Sequence, residues 1–137
     1  MKANVNAVLC GSIHQEDNGK FILVGVLAGE LITTNDSFDE DFDLFISINN
    51  FNKQEAILEL ELVYPEGPQG ASKLPIQNSD LSYNTTVQVS GIPLKTKKSG
   101  NFEINWRWEG EKKWKNLIGI SVTISANPER ISDLKTD

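Results

Sequence analysis

The chain has 137 residues, 39% of them hydrophobic and 23% charged, with 19 acidic against 13 basic side chains and a net charge of −6. That size and balance fit one folded domain and exclude a disordered chain. The acidic excess argues against general nucleic-acid binding, which needs a basic face to displace counterions from phosphate.

No segment has the length and apolarity of a membrane helix, and the first residues lack a signal-peptide core. The single cysteine, Cys10, has no internal partner, which points to a reducing compartment. A cytoplasmic location without membrane contact is therefore expected.

Nearly every segment reads as strand. Residues 3 to 10 alternate weakly, with Val5, Ala7 and Leu9 on one side. Residues 15 to 19 form a turn in which Asn18 and Gly19 can take the positive φ of a tight hairpin. Residues 20 to 33 then hold Phe21 to Leu27, which is apolar on both sides. Such a strand is expected to be central and covered on both faces, or to sit at an interface.

Phe42, Leu44, Ile46 and Ile48 alternate with Asp43, Phe45, Ser47 and Asn49. Ala56, Leu58, Leu60, Leu62 and Tyr64 alternate with Glu55, Ile57, Glu59, Glu61 and Val63. This period of two predicts an antiparallel pair with one wet face. A helix over residues 54 to 62 conflicts with that period and with Pro65, which disfavours helical geometry in the residue before it. Residues 65 to 82 contain Pro65, Gly67, Pro68, Gly70 and Pro75 and predict a long loop of the kind that is functional or mobile. A further strand is expected over residues 83 to 90, broken by Pro93.

The last hairpin carries the clearest pattern. Phe102, Ile104, Trp106 and Trp108 share one face, and Ile118, Ile120, Val122 and Ile124 share the matching one. A two-residue turn would oppose even positions with odd ones and expose the isoleucines. An odd-length loop over residues 110 to 112, or an equivalent bulge, pairs Trp108 with Trp114, Ile104 with Ile118 and Phe102 with Ile120.

About seven or eight strands with regular turn signals predict an all-β fold, an antiparallel β-sandwich of Ig-like or C2-like type. A closed barrel is the alternative. The domain is expected over residues 1–126, followed by a polar tail over residues 127–137.

Chemistry is sparse. His14 is the only histidine and sits beside a turn, so it reads as a surface side chain. Cys10 ends an apolar strand and reads as a small buried thiol. No catalytic constellation, phosphate loop or zinc spacing occurs, so no enzyme activity, catalytic residue or cofactor is expected.

Asp36, Asp39, Asp41 and Asp43 could supply oxygen ligands to calcium, but the EF-hand spacing is missing. A charged strand start that discourages edge pairing explains them as well. Trp106, Trp108 and Trp114 could stack sugars, yet the first two share a face with Phe102 and Ile104, which favours the core. Trp114, with Arg107, Lys113 and Lys115, is left as a contact patch for a protein, since Trp and Arg are enriched where binding energy concentrates.

Two stretches carry a resemblance. Residues 7 to 10, Ala-Val-Leu-Cys, followed by Gly19, Lys20 and Gly25, and the closing Gly100 to Ile104 with Glu109 to Glu111, resemble a family of small uncharacterised bacterial β-sandwich proteins. The resemblance implies a sandwich and no catalytic residue. The expected role is binding a protein partner or self-association, as a subunit or accessory of a larger bacterial or phage-related assembly. A small-ligand module for carbohydrate or calcium is the alternative.

Overall fold

The computed structural model describes residues 3–78 and 84–125, and over them the backbone is strand and turn with no helix. The expected tail over residues 127–137 lies outside the described residues, as do residues 79–82 of the expected loop and residue 83 of the expected strand. In chain order the described strands are β1 (Asn4–Cys10), β2 (Ser12–Gln15), β3 (Phe21–Val24), β4 (Glu30–Thr33), β5 (Phe38–Asn49), β6 (Glu55–Tyr64), β7 (Gly67–Gln77), β8 (Asn84–Thr96), β9 (Gly100–Trp108) and β10 (Lys115–Ile124). The ten exceed the seven or eight expected, because the apolar run splits in two and the proline-rich stretch is itself a strand.

The strands form a three-stranded sheet in the order β1-β5-β8, a five-stranded sheet in the order β4-β10-β9-β6-β7, and the β2-β3 hairpin. The alternating runs behave as their period dictates. Leu44, Ile46 and Ile48 of β5 are fully buried, together with Leu58 of β6 and Phe102 and Ile104 of β9. With Leu60, Trp106, Trp108, Ile120 and Val122 they belong to one core cluster shared by the two larger sheets. Tyr64 enters the same core against Phe102 and donates its hydroxyl to the Pro93 carbonyl, which ties β6 to β8.

Three expectations are corrected. First, residues 67–77 are a strand paired along β6, from Glu55 with Gln77 to Tyr64 with Gly67. Prolines are tolerated there because β7 is an edge strand, where an outward position needs no N–H.

Second, residues 20–33 do not form one covered strand. Gly25, at φ 70°, bends the chain after β3. The segment then follows the edge of β1, with the Leu27 N–H donating to Leu9 O at 2.9 Å. It crosses to the five-stranded sheet, where β4 pairs parallel with β10. The fold is thus not purely antiparallel.

Third, the closing hairpin keeps the expected pairs Ile104 with Ile118 and Phe102 with Ile120, but through a bulge between Asn116 and Ile118. Near the turn the ladder ends at Trp106 with Lys115, so Trp108 does not face Trp114. The Asn116 side chain holds the bulge, donating to Asn105 Oδ1 and to Ile118 O, each at 3.2 Å.

Candidate functional site

The bulge in β10 sets the geometry of the tryptophan rim. It places Trp114 on the outer face of the five-stranded sheet, where Arg107 lies 4.0 Å from the centre of its ring. The Arg107 Nε donates to Glu59 Oε1 at 2.9 Å and Nη1 to the Lys112 carbonyl at 3.3 Å. Lys115, one residue on, goes to the opposite side and stands 4.5 Å from the ring centre of Trp106. Of the four expected contact residues, the structure brings together Arg107 and Trp114, turns Lys115 away, and leaves Lys113 exposed.

Three of the rim's cations are paired with acids. Arg107 pairs with Glu59, Lys115 with Glu111 at 3.6 Å, and Lys73 with Glu109 at 2.9 Å. The Glu109 contact holds the Lys73 ammonium above its usual pKa. Arg107 therefore fastens the β9–β10 turn to the sheet and is already spoken for by three partners.

Trp106 and Trp108 point into the core, at 7% and 6% exposure, and cannot stack a ligand from solvent. They meet edge-on at 5.9 Å, and Phe51 stacks on Trp108. The Trp108 Nε1 is buried without a hydrogen-bond partner among the described residues.

The acidic run does not converge. On a strand, side chains at i and i+2 stand about 7 Å apart, so Asp39, Asp41 and Asp43 of β5 line up instead of closing on one point. Asp39 lies 3.9 Å from Lys95, and Asp43 accepts the Gly91 N–H at 3.4 Å. Among the described residues no three His, Cys, Asp or Glu side chains group as metal ligands. Cys10 is fully buried, and desolvation together with the nearby Asp43 carboxylate pushes its thiol pKa up. A protonated, inaccessible thiol is a poor nucleophile. His14 is exposed on β2, with its Nε2 3.2 Å from Ser12 Oγ.

Among the described residues, two open surfaces adjoin these side chains or stand apart from them. The β2-β3 hairpin packs one face down, with Phe21 against Phe45 of β5 at 4.8 Å. Its other face carries Ile22 and Val24, at 46% and 50% exposure, and the chain continues through Val26 at 53% to Ile32 at 47%. The apolar run was legible in the sequence as an interface candidate. Its breakage into a hairpin with one open face was not.

The second surface is a cleft of about 640 Å³ lined by Leu62, Tyr64 and Gln69 on one side and Pro93 and Lys95 on the other. At its mouth Glu66 accepts the Lys97 N–H at 2.9 Å and the Thr96 hydroxyl at 2.7 Å. Those bonds hold the Glu66 carboxyl below the usual carboxylate range. No sequence signal marks this cleft, since its two walls come from strands on different sheets. The sequence matches no protein-family model and no curated protein.

Proposed function

We propose that the chain is a non-enzymatic β-sandwich protein, Ig-like or C2-like in layout, that acts in the cytoplasm by binding another protein. The reading makes it a subunit or accessory of a larger bacterial or phage-related assembly, in keeping with its resemblance to small bacterial β-sandwich proteins. One observation carries it: Ile22, Val24, Val26 and Ile32 are each about half exposed within one short stretch. Scattered apolar residues on a surface are ordinary, whereas several close in sequence, with Ile22 and Val24 on one face of β3, point to an interaction site.

The hairpin is well suited to that role. Its lower face is anchored by Phe21, so its upper face can be buried without unfolding anything. Lys113 and the outer side of Trp114 form a second, rim-type contact in the same reading.

The test compares co-purification from the native host of the wild type and an Ile22→Ser/Val24→Ser variant, with melting temperatures measured in parallel. A protein held by the wild type and lost by the equally stable variant supports the proposal. A set of bound proteins identical for both, or no bound protein, overturns it.

A further inference from the structure

Sheet edges are where a β protein meets other chains, because each offers a row of unpaired N–H and C=O groups. Of the four edges of the two larger sheets, three are wholly or partly blunted. The edge of β1 is covered at its C-terminal end by the end of β3 and the residues after it, through the Gly11 N–H to Val24 O and the Leu27 N–H to Leu9 O. β4 is only four residues long. β7 carries Pro68, Lys73 and Pro75.

β8 is the exception. Among the described residues it pairs with β5 alone, and residues 84–90 contain no charge and no proline. Asn84, Thr86, Gln88 and Ser90 are exposed, while Thr85, Val87 and Val89 are half-buried over the core. Those last three pair with Ile48, Ile46 and Leu44.

A second observation shows room beside this edge. β8 is tied to β6 by the Tyr64 hydroxyl on Pro93 O, and the five-stranded sheet continues one strand further, to β7. Ser72 of β7 pairs with Leu60, so both side chains point to the same face. Leu60 is 4% exposed, yet Ser72 is open to solvent. The inward face of β7 is therefore a ledge with no strand of the described residues above it over this part of its length. The cleft walled by Gln69 and Leu62 against Pro93 and Lys95 continues the same gap toward the other end of β8.

We propose that the edge of β8 at residues 84–90, above the β7 ledge, binds one extended peptide segment of a partner protein as an added strand. The inference rests on the protein-binding reading and names a different surface and the form of the partner. Strand addition takes affinity from main-chain hydrogen bonds and specificity from alternate side chains. The bound segment spans about seven residues, with small or β-branched apolar side chains at alternate positions facing Ser72 and Leu74, and uncharged polar ones outward.

A second copy of the chain does not fit this place. Two β8 edges paired antiparallel are related by a two-fold axis normal to the sheet. Strand spacing is then the same in both layers, so the partner's β6 would fall where β7 already lies. A lone strand, with no sheet beneath it, has no such conflict.

The test selects peptides from a displayed random library on the immobilised full chain, then measures the synthesised peptides by titration and by amide shifts of the labelled protein. Expected are sequences with alternating apolar residues, shifts centred on residues 84–90 and 72–74, and a loss of about tenfold or more in affinity for Ser72→Trp. Ser72 is exposed, so that variant fills the ledge without touching the core, and the shift map on the wild type stands independently of it. The inference is overturned by a selection that returns nothing, by shifts that fall elsewhere, or by unchanged binding to Ser72→Trp. Peptides that bind the wild type but not Ile22→Ser/Val24→Ser, with shifts on the hairpin, overturn it while leaving the protein-binding reading in place.

Discussion

Glu59 is 8% exposed although it lies on the outer face of its sheet. Its carboxylate is tolerable there because the Arg107 guanidinium meets it at 2.9 Å while covering the Trp114 ring. Removing the cation leaves a nearly buried carboxylate without a partner, which costs more than the pair itself contributes. Arg107→Ala is therefore expected to lower stability by about 1–3 kcal/mol in urea denaturation. Arg107→Lys recovers only part, since an ammonium cannot stack flat on the indole while holding Glu59 and the Lys112 carbonyl.

Glu66 behaves differently because it is exposed. Its folded pKa is held below the unfolded value by the Lys97 N–H and the Thr96 hydroxyl. The stabilisation is thus fully present above the ordinary glutamate range, near 4.5, and is lost as pH falls through the lower folded pKa. Glu66→Gln is expected to melt below the wild type at neutral pH and to converge with it on acidification. A constant gap across the titration would refute this assignment.

Strands whose alternation is uninterrupted were legible. Phe42 to Ile48 and Phe102 to Trp108 bury the side that their period assigns, because burying every second side chain leaves no other register. β7 was hidden because proline and glycine signal loops unless one knows that the strand lies at an edge, and strand order is a tertiary fact. The Ser72 ledge was hidden for the same reason. The pairing of Ile104 with Ile118 was legible, but the loop between Trp106 and Lys115 is even in length, and the register is restored by a bulge whose place depends on how Asn116 reaches Asn105 and Ile118 O.

The junction between β6 and β9 shows how closely elements can approach when one residue lacks a side chain. A Cβ placed on Gly100, the first residue of β9, would stand 2.8 Å from the Pro65 Cβ in the β6–β7 turn. Neither partner can swing away, since one is a ring in a tight turn and the other is main chain. Gly100→Ala is expected to cost about 1–3 kcal/mol, read as a lowered melting temperature with secondary structure retained.

At the scale of the molecule, the pairings that close the core join distant parts of the chain. β1 meets β5, β5 meets β8, β6 meets β9, and β4 meets β10 across most of the sequence. Each requires loop closure before any contact offsets its entropy, so refolding is expected on the millisecond-to-second scale typical of non-local β folds. Trp106 and Trp108 report it directly, because both pass from solvent into the core. The β2-β3, β6-β7 and β9-β10 pairings are local, and of these the β2-β3 hairpin has an exposed face that takes no part in that core. Ile22→Ser/Val24→Ser should therefore leave the refolding rate within about twofold of wild type, whereas Ile46→Ala, at a fully buried site between β1 and β8, should change the folding or unfolding rate markedly. A hairpin variant that slowed refolding as much as the core variant would mean that the open apolar face helps to assemble the fold, and would remove the reason for assigning it to a partner.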